Sequence, residues 1–306
     1  MGKRLVWAKQ HLRTWVQIGF AALSNGYAAG FMRGNIYKGP LKFICVPGLN
    51  CYSCPGALGS CPIGAFQSVL ASRNYHFAFY VSGFLIFFGA LLGRLTCGWL
   101  CPFGLVQDLL HKIPVPKKRK LLPGDKFLKY LKYVILIGFV ILLPLTVLDI
   151  VGQGQPWFCK YICPAGTLTA GLPLVAVSPA LQAAVGWLFA WKNLVLLVLV
   201  VLSVAVYRPF CRYLCPLGAI YGLFHPIAFY RIRVDREKCT SCGACRKACG
   251  LDIPAWQTPN SPDCIRCGDC ARACPHGALS MGLSPRKGCP GRAPVEPLPE
   301  GRKPED

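Results

Sequence analysis

Three stretches of the chain are apolar, almost free of charge and close to the length that crosses a lipid bilayer. They are residues 77–93, 133–148 and 187–207. A helix needs roughly 20 such residues to span the hydrocarbon core. Lys192, the one charge in the third stretch, is near enough to an end to reach the interface, and Pro144 is expected to kink the second. These stretches predict an α-helical membrane protein.

A fourth candidate span covers residues 12–31 but is interrupted by Gln17, Ser24 and Asn25. We expect it to cross the membrane. The alternative is an amphipathic anchor that lies in the interface. A cleaved signal peptide is disfavoured because no clear cleavage site follows the basic start.

The basic residues are unevenly divided between the two sides of these spans. Counting Lys and Arg around the four spans gives 18 on the side of both termini and 6 on the other side. Loops rich in Lys and Arg stay in the cytoplasm, so both termini are predicted to be cytoplasmic. We expect a multi-pass protein of the bacterial cytoplasmic membrane.

The net charge of +22 suggests nucleic acid as a partner at first sight. Hydrophobic residues make up 54% of the chain and charged residues 15%, which argues against both a soluble nucleic-acid binder and a disordered chain. Membrane topology and contact with anionic lipid headgroups account for the excess of basic residues. We expect membrane lipid, and no nucleic acid, as a partner.

Two cysteine runs of the form Cys-x2-Cys-x2-Cys-x3-Cys begin at Cys239 and Cys264. This spacing is typical of a bacterial ferredoxin with two [4Fe–4S] clusters, in which the fourth cysteine of each run binds the other cluster. The two predicted ligand sets are Cys239, Cys242, Cys245 and Cys274, and Cys264, Cys267, Cys270 and Cys249. The alternative is a pair of zinc sites, but zinc favours separated pairs of ligands over compact sets of four.

The motif Cys-Pro-x-Gly recurs at Cys61, Cys101, Cys163 and Cys215. In three of these turns another cysteine stands four residues earlier, at Cys97, Cys159 and Cys211, whereas Cys45, Cys51 and Cys54 precede Cys61. Proline fits the first turn of a helix, so each motif predicts a helix that begins at its cysteine. The thiolate then lies at the positive end of the helix dipole, among free backbone amides.

The order of spans and motifs predicts a duplication, with two spans and two Cys-Pro turns in each half. We expect halves related by an axis along the membrane normal, as in parallel transporter repeats. An inner [4Fe–4S] cluster is predicted from Cys97, Cys101, Cys211 and Cys215. An outer one would use Cys61, Cys159, Cys163 and either Cys51 or Cys54. The two leftover outer thiols would pair as a disulfide if that side is oxidising.

Three other readings of the membrane cysteines stay open. They would be small buried hydrophobic residues, thiols of a disulfide relay, or soft ligands for copper or zinc in transit. Haem is disfavoured because no histidine lies in the middle of a span. His111, His225 and Asp108 follow inner Cys-Pro turns and are conceivable parts of a quinone site.

At these residues the chain resembles the NapH/NosR-type membrane polyferredoxins. The resemblance rests on the turns at 97–102 and 211–216 and on the ferredoxin set, and it extends from residue 12 to about 282. It implies electron transfer at a bacterial cytoplasmic membrane, as in quinol dehydrogenase subunits, nitrous oxide reductase support proteins and a copper-reducing assembly factor. The chain departs from the plainest pattern in its third Cys-x3-Cys-Pro, at 159–164, and in the 51–55 segment. No flavin-binding domain is recognised, which disfavours a stand-alone NosR role.

The predicted architecture is about four transmembrane helices in a duplicated arrangement with re-entrant Cys-Pro helices, followed by an α+β bacterial ferredoxin-like domain. Its expected parts are repeat A (1–116), repeat B (117–229), the ferredoxin domain (230–283) and a disordered tail (284–306) with Cys289 as a free thiol.

The expected function is electron transfer rather than stand-alone catalysis. Electrons would pass between a cytoplasmic donor or quinol and a partner reductase in or outside the membrane. The alternatives are a quinol dehydrogenase subunit, a copper reductase and assembly factor, and, last, an iron–sulfur redox sensor.

Overall fold

The structure is a computed structural model that describes residues 2–72, 75–116, 118–149 and 153–283, without the side chains of residues 2–11 and 75–78. Within these residues the fold is mostly helical, with a two-stranded sheet near the C-terminal end. The predicted tail and Cys289 lie outside the described residues.

The helices divide into those before and those after residue 113. The earlier ones are α1 (Gly2–Ser24), α2 (Ala28–Arg33), a 3₁₀ turn (Pro40–Phe43), α3 (Pro62–Ser72), α4 (Tyr75–Leu92), α5 (Leu95–Trp99) and α6 (Pro102–Lys112). The later ones are α7 (Asp125–Ile135), α8 (Leu143–Thr146), α9 (Pro164–Gly166), α10 (Leu172–Val177), α11 (Pro179–Ala183), α12 (Trp187–Ala205), α13 (Pro209–Tyr213) and α14 (Pro216–Phe224). Wider π-type turns fill Leu136–Leu142, Phe158–Ile162 and Thr167–Gly171.

Two helices in the described residues are long and apolar enough to cross a membrane, Asp125–Thr146 and Trp187–Ala205. They correspond to the predicted spans 133–148 and 187–207. On α12, Leu197 and Val201 are exposed over more than half of their surface. A helix face of this kind suits lipid better than water.

The helix through Pro144 is continuous because π-type turns precede the proline. A proline lacks the backbone N–H, and its ring clashes with the carbonyl one turn earlier in a regular helix. Here the amide of Leu143 bonds to the carbonyl of Gly138, five residues back. The strain that predicts a kink at Pro144 is thus accommodated by a locally wider helix.

The other two predicted spans stay predictions. Helix α1 ends at Ser24, and α2 begins only at Ala28, so residues 12–31 form two helices. The side chains of Ser24 and Asn25 bond to the carbonyl of Ala21, which helps to end α1 at the polar interruption. The apolar stretch Phe79–Leu92 of α4 is shorter than a typical span.

Contacts between helices repeat in the two halves of the chain. Helix α6 packs against α1 and α12, and in the same way α14 packs against α7 and α4. Helix α3 packs against α4, just as α9 packs against α12. Each of α6 and α14 therefore contacts one long helix of its own half and one of the other half. This is the contact pattern that the predicted duplication would produce.

The ferredoxin part consists of β1 (Tyr230–Val234), α15 (Ala244–Ala248), α16 (Asp269–Arg272) and β2 (Leu279–Leu283). The two strands pair antiparallel, from Tyr230 opposite Leu283 to Val234 opposite Leu279. The two short helices contact each other, and β1 contacts α4 of the preceding helical part. The ferredoxin part is thus held against the end of the helical part.

Candidate iron–sulfur sites

The Cys-Pro turns place each thiol at the start of a helix and aim a backbone donor at it. Cys101 directly precedes α6, and Cys215 directly precedes α14. The amide of Gly218 donates a hydrogen bond to the Sγ of Cys215 at 3.4 Å. In the other three turns the amide of the equivalent glycine, Gly64, Gly104 or Gly166, lies near the thiol. Such donors stabilise a thiolate ligand.

One group of thiols lies where the helical part (residues 2–224) meets the ferredoxin part, and we call it the inner group. Its members are Cys97, Cys101, Cys211 and Cys215. Each of these thiols interacts electrostatically with the other three, and all four are buried. Four neighbouring thiols supply the ligands that a [4Fe–4S] cluster uses.

A second group of four thiols, the outer group, consists of Cys51, Cys61, Cys159 and Cys163. Here too each thiol interacts with the other three. Of the two alternatives left open by the sequence, the structure brings Cys51 into the group. The Sγ of Cys54 faces the side-chain oxygen of Asn25 at 3.7 Å.

The two leftover thiols of this region do not form the disulfide that the sequence allowed. Cys45 lies beside Cys61, whereas Cys54 lies beside Cys51, and both are buried and free. They belong to separate apolar clusters. Each of the two therefore lies beside a different cysteine of the outer group.

Two cavities in the ferredoxin part are lined by cysteines. One is lined by Cys239, Cys242, Cys245 and Cys274, and the other by Cys249, Cys264, Cys267 and Cys270. Each set combines three thiols of one run with the last thiol of the other run, as the ferredoxin spacing predicts. Gly243 and Gly268 precede α15 and α16 with φ of 74° and 88°, a conformation that glycine adopts without strain.

The inner group and the second ferredoxin cavity are joined by direct backbone packing. Gly98, next to Cys97, lies so close to Ile265 that a Cβ on Gly98 would collide with the carbonyl oxygen of Ile265. The indole Nε1 of Trp99 donates to the carbonyl of Arg266 at 3.0 Å. The loop between Cys264 and Cys267 thus rests on the turn between Cys97 and Cys101.

The inner and outer groups are joined by two consecutive residues of the loop before Cys51. The amide of Leu49 donates to the Sγ of Cys101 at 3.5 Å. The next amide, that of Asn50, lies near the Sγ of Cys61. Tyr221, whose hydroxyl donates to the carbonyl of Pro47 at 3.2 Å, interacts with thiols of both groups. Two consecutive backbone amides therefore lie beside thiols of the two groups.

Two buried arginines frame the inner group. Arg94 donates to the carbonyl of Cys211 at 2.7 Å, and Arg208 donates to the carbonyl of Cys97 at 2.6 Å. Both are almost fully buried. Arg208 is also paired with Asp108, at 2.6 Å from its Nε. Buried cations beside thiolate ligands offset the negative charge that four thiolates bring.

The conceivable proton-acceptor role of Asp108 does not suit its surroundings. Its carboxylate accepts hydrogen bonds from Arg208 and from Arg13. Burial raises the pKa of Asp108, but these two arginines lower it further than burial raises it, to about 2. A carboxylate with so low a pKa stays ionised at neutral pH and binds a proton weakly.

His225 is enclosed rather than open to a quinone. It is fully buried, and its Nδ1 accepts a hydrogen bond from the amide of Arg94 at 3.4 Å. Burial and the charges of Arg266 and Arg94 lower the pKa of His225 to about 2, so its ring stays neutral. A quinone site stays a prediction of the sequence.

Lys192, in the predicted span 187–207, lies beside the outer group. Its ammonium donates to the carbonyl of Cys159 at 3.3 Å and lies in the field of Cys51 and Cys163. A buried carbonyl and a group of thiolates attract a cation more strongly than a nearby apolar surface does. Lys192 thus has a place at the outer group like that of the arginines at the inner group.

Each thiol group offers the four cysteine ligands that a [4Fe–4S] cluster uses. In the part of the chain that the structure describes, no three His, Cys, Asp or Glu side chains converge on a point that would hold one metal ion. A cubane makes a different demand, because each thiolate binds a different iron. The donor sets, the buried surroundings and the amides aimed at sulfur meet that demand.

Several residues around the thiols were not identified from the sequence, although a signal for them exists. Arg94 and Arg208 each stand three residues before the first cysteine of an inner turn. Gln67 and Gln107 each stand six residues after the cysteine of a Cys-Pro turn, and both are fully buried. A search for polar residues at a constant distance from the cysteines would have found all four.

Two protein families match the chain, and both are described as "4Fe-4S binding domain". One matches residues 75–121, 131–174 and 181–233, each of which includes one Cys-x3-Cys-Pro turn. The other matches residues 232–253 and 259–280, which hold the ferredoxin runs. Both parts of the chain therefore carry [4Fe–4S] domains. No solved structure matches the chain.

The similar curated proteins point in the same direction. An uncharacterized protein of Methanocaldococcus jannaschii is 31% identical over 64% of this chain and 75% of its own length. The methylamine utilization ferredoxin-type protein MauN of Paracoccus denitrificans is 29% identical over 84% of this chain and 83% of its own. The ferredoxin-type protein NapH of Haemophilus influenzae is 30% identical over 63% of this chain, and the match spans 60% of that protein. The chain belongs to the NapH/NosR-type polyferredoxins, a family of ferredoxin-type electron-transfer proteins with [4Fe–4S] domains.

Proposed function

We propose that the chain relays electrons through the cytoplasmic membrane by way of four [4Fe–4S] sites. Two are the cysteine sets of the ferredoxin cavities, one is the inner group and one is the outer group. When bound, such clusters accept and donate single electrons. The partners would be a cytoplasmic donor or quinol on one side and a reductase in or outside the membrane on the other.

The observation that carries the proposal is the continuity of the four cysteine sets. The two ferredoxin sets share their runs, the second set rests on the inner group through Gly98 and Ile265, and Leu49 and Asn50 join the inner and outer groups. A hydrocarbon core is roughly 30 Å thick, which is too far for easy transfer between two surface clusters. The loop before Cys61 removes this obstacle because it brings an outer ligand set next to the inner one.

The membrane topology is part of the proposal. Four spans, with both termini in the cytoplasm, would put the ferredoxin part and the inner group on the cytoplasmic side. The division of basic residues and the apolar surface of α12 support this arrangement. Irregular backbone such as the loop before Cys61 is tolerated at membrane depth only where protein encloses it, and Leu49 and Asn50 are buried.

The proposal is tested first by iron and acid-labile sulfide analysis with EPR on anaerobically purified protein. Wild type should hold about sixteen irons, and a Cys97→Ser, Cys211→Ser double variant about twelve. A wild-type content of about eight irons, unchanged in the double variant, would confine clusters to the ferredoxin part and overturn the relay.

A second experiment tests transfer itself. The protein is reconstituted into vesicles that enclose ferricyanide, and dithionite is added outside to molecules whose ferredoxin part faces outward. Wild type should reduce the enclosed ferricyanide. A Cys51→Ser variant should keep reducible ferredoxin clusters but lose transfer to the interior. Equal rates in the two proteins would show that the outer group is not on the path.

A further inference from the structure

Gln67 and Gln107 occupy equivalent places beside the two membrane thiol groups. Gln67 lies on α3, six residues after Cys61, and Gln107 lies on α6, six residues after Cys101. Their side chains are 0% and 1% exposed. Neither residue has a charged partner among its described hydrogen bonds. A buried amide requires hydrogen-bond partners for all its polar atoms, so the identity of those partners indicates the role of the side chain.

In each glutamine the side-chain oxygen and both N–H donors have hydrogen-bond partners, and these partners correspond in the two residues. The Oε1 of Gln67 accepts from the amide of Phe158 at 3.1 Å, and the Oε1 of Gln107 accepts from the amide of Phe210 at 3.2 Å. Each Nε2 donates to the carbonyl four residues earlier at 3.4 Å, that of Ile63 or Phe103.

The remaining donor of each amide reaches a cysteine of the other half of the chain. The Nε2 of Gln67 donates to the Sγ of Cys159 at 3.4 Å. The Nε2 of Gln107 donates to the Sγ of Cys211 at 3.1 Å. Because a backbone N–H only donates, Phe158 and Phe210 fix which end of each amide faces them. The N–H, and not the oxygen, is therefore turned towards the sulfur.

We propose that Gln67 and Gln107 are a matched pair of positioning residues, one for each membrane cluster, that set cluster potential through a hydrogen bond to a ligand sulfur. The inference rests on the proposed function, since it requires clusters at both thiol groups. Hydrogen bonds to the sulfurs are among the features that set cluster potentials. Reduction adds negative charge, and a donor stabilises the more negative state, so each glutamine raises the potential of its own cluster.

The second half of the chain has no glutamine at the corresponding positions. Six residues after Cys163 stands Thr169, whose hydroxyl donates to the carbonyl of Ala165. Six residues after Cys215 stands Tyr221, whose hydroxyl donates to the carbonyl of Pro47. Each membrane group thus receives one glutamine donor, always from the first half and always to the first cysteine of a Cys-x3-Cys turn.

The test is a redox titration by EPR of the purified full chain, as wild type, Gln67→Met, Gln107→Met and Gln17→Met. Methionine has a similar length and no donor. Gln107→Met should lower the midpoint potential of one cluster, and Gln67→Met that of another. A roughly tenfold change in the reduction equilibrium is expected for each, which is about 59 mV for one electron.

Gln17→Met is the matched control, because Gln17 is equally buried and bonds to the carbonyl of Gly98 rather than to sulfur. Its potentials should stay at the wild-type values. About sixteen irons with unchanged potentials in Gln67→Met and Gln107→Met would overturn this inference and leave the relay intact. About eight irons in wild type would overturn the relay, and this inference with it.

A second measurement is made first on wild-type protein, where its result does not depend on the folding of a variant. With ¹⁵N in the glutamine side chains, pulsed EPR of the reduced protein should detect coupling of a side-chain nitrogen to a cluster. The coupling at one cluster should disappear in Gln107→Met. Absence of any such coupling in wild type would contradict a hydrogen bond to the cluster sulfur.

Discussion

Arg94 and Arg208 hold the inner group by reciprocal hydrogen bonds. Each stands three residues before the first cysteine of its own turn, and each donates to the carbonyl of the first cysteine of the other turn. The two halves of the chain are thus fastened together at the thiols that they share. Because both guanidinium groups are buried, removal of either leaves a carbonyl without its donor in a dry environment.

We therefore expect Arg94→Met and Arg208→Met each to lose the inner cluster. Iron analysis should give about twelve irons instead of about sixteen. Arg212→Met is the control, because Arg212 bonds to Asp125 and to the carbonyl of Leu251 but to no cysteine carbonyl. It should be less stable and still hold a full complement of iron. About sixteen irons in both Arg94→Met and Arg208→Met would refute the prediction.

The choice between Cys51 and Cys54 gives a second prediction from two serine variants. Cys51 interacts with the other three thiols of the outer group, whereas Cys54 faces Asn25. Cys51→Ser should lower the iron content by about four, and Cys54→Ser should leave it unchanged. The two residues lie in the same loop, so general disruption of that loop would affect both variants alike. A loss of iron in Cys54→Ser alone would reverse the assignment.

A third prediction concerns the contact between the inner group and the ferredoxin part. A methyl group at Gly98 would collide with the backbone of Ile265, and the two parts would move apart. Gly98→Ala should cost about 1–3 kcal/mol of stability and slow electron transfer between them. Gly83→Ala, on α4, is the control because its Cβ would meet nothing within 4 Å. Stopped-flow reduction of the membrane clusters should be slow in the first variant and normal in the second.

Asp108 yields a prediction about pH. Its pKa is about 2 in the folded protein and roughly 3.9 in an unfolded chain, so it stabilises the fold above pH 4 and loses that effect as the pH falls towards 2. Asp108→Asn leaves Arg208 without its buried counter-charge and should cost about 3–5 kcal/mol at neutral pH. Chemical unfolding should give a constant difference between wild type and variant from pH 9 to 5, and a smaller one below pH 4. A difference that grows on acidification would contradict this reading.

The cysteine pattern was a good guide to the site. The apolar pattern was a weaker guide to the fold. Proline and glycine at fixed distances from Cys101 and Cys215 dictate a helix start, and the structure has both. The ferredoxin family is confirmed by the comparisons. The ligand sets remain predictions, although the structure brings the expected thiols together.

Other features could not be derived because they depend on the path of the backbone. Cys51 and Cys54 are three residues apart in one loop, and only the course of that loop decides which thiol reaches Cys163. The contact between Lys192 and the carbonyl of Cys159 likewise depends on how two distant segments meet, which the sequence does not reveal. The break after Ser24 depends on hydrogen bonds that compete locally with the helix.

The composition of the four thiol sets has a consequence for biogenesis. Both ferredoxin sets are complete within residues 239–274, so they require only a short stretch of finished chain. The inner group combines Cys97 with Cys211, and the outer group combines Cys51 with Cys159, so neither set exists before the later span and its turn have been synthesised. Chains are made and fold from the N-terminus. The proposed outer set is therefore complete only when residue 163 has been made, and the proposed inner set only when residue 215 has been made, so a chain that stops before residue 159 offers neither set to the maturation machinery.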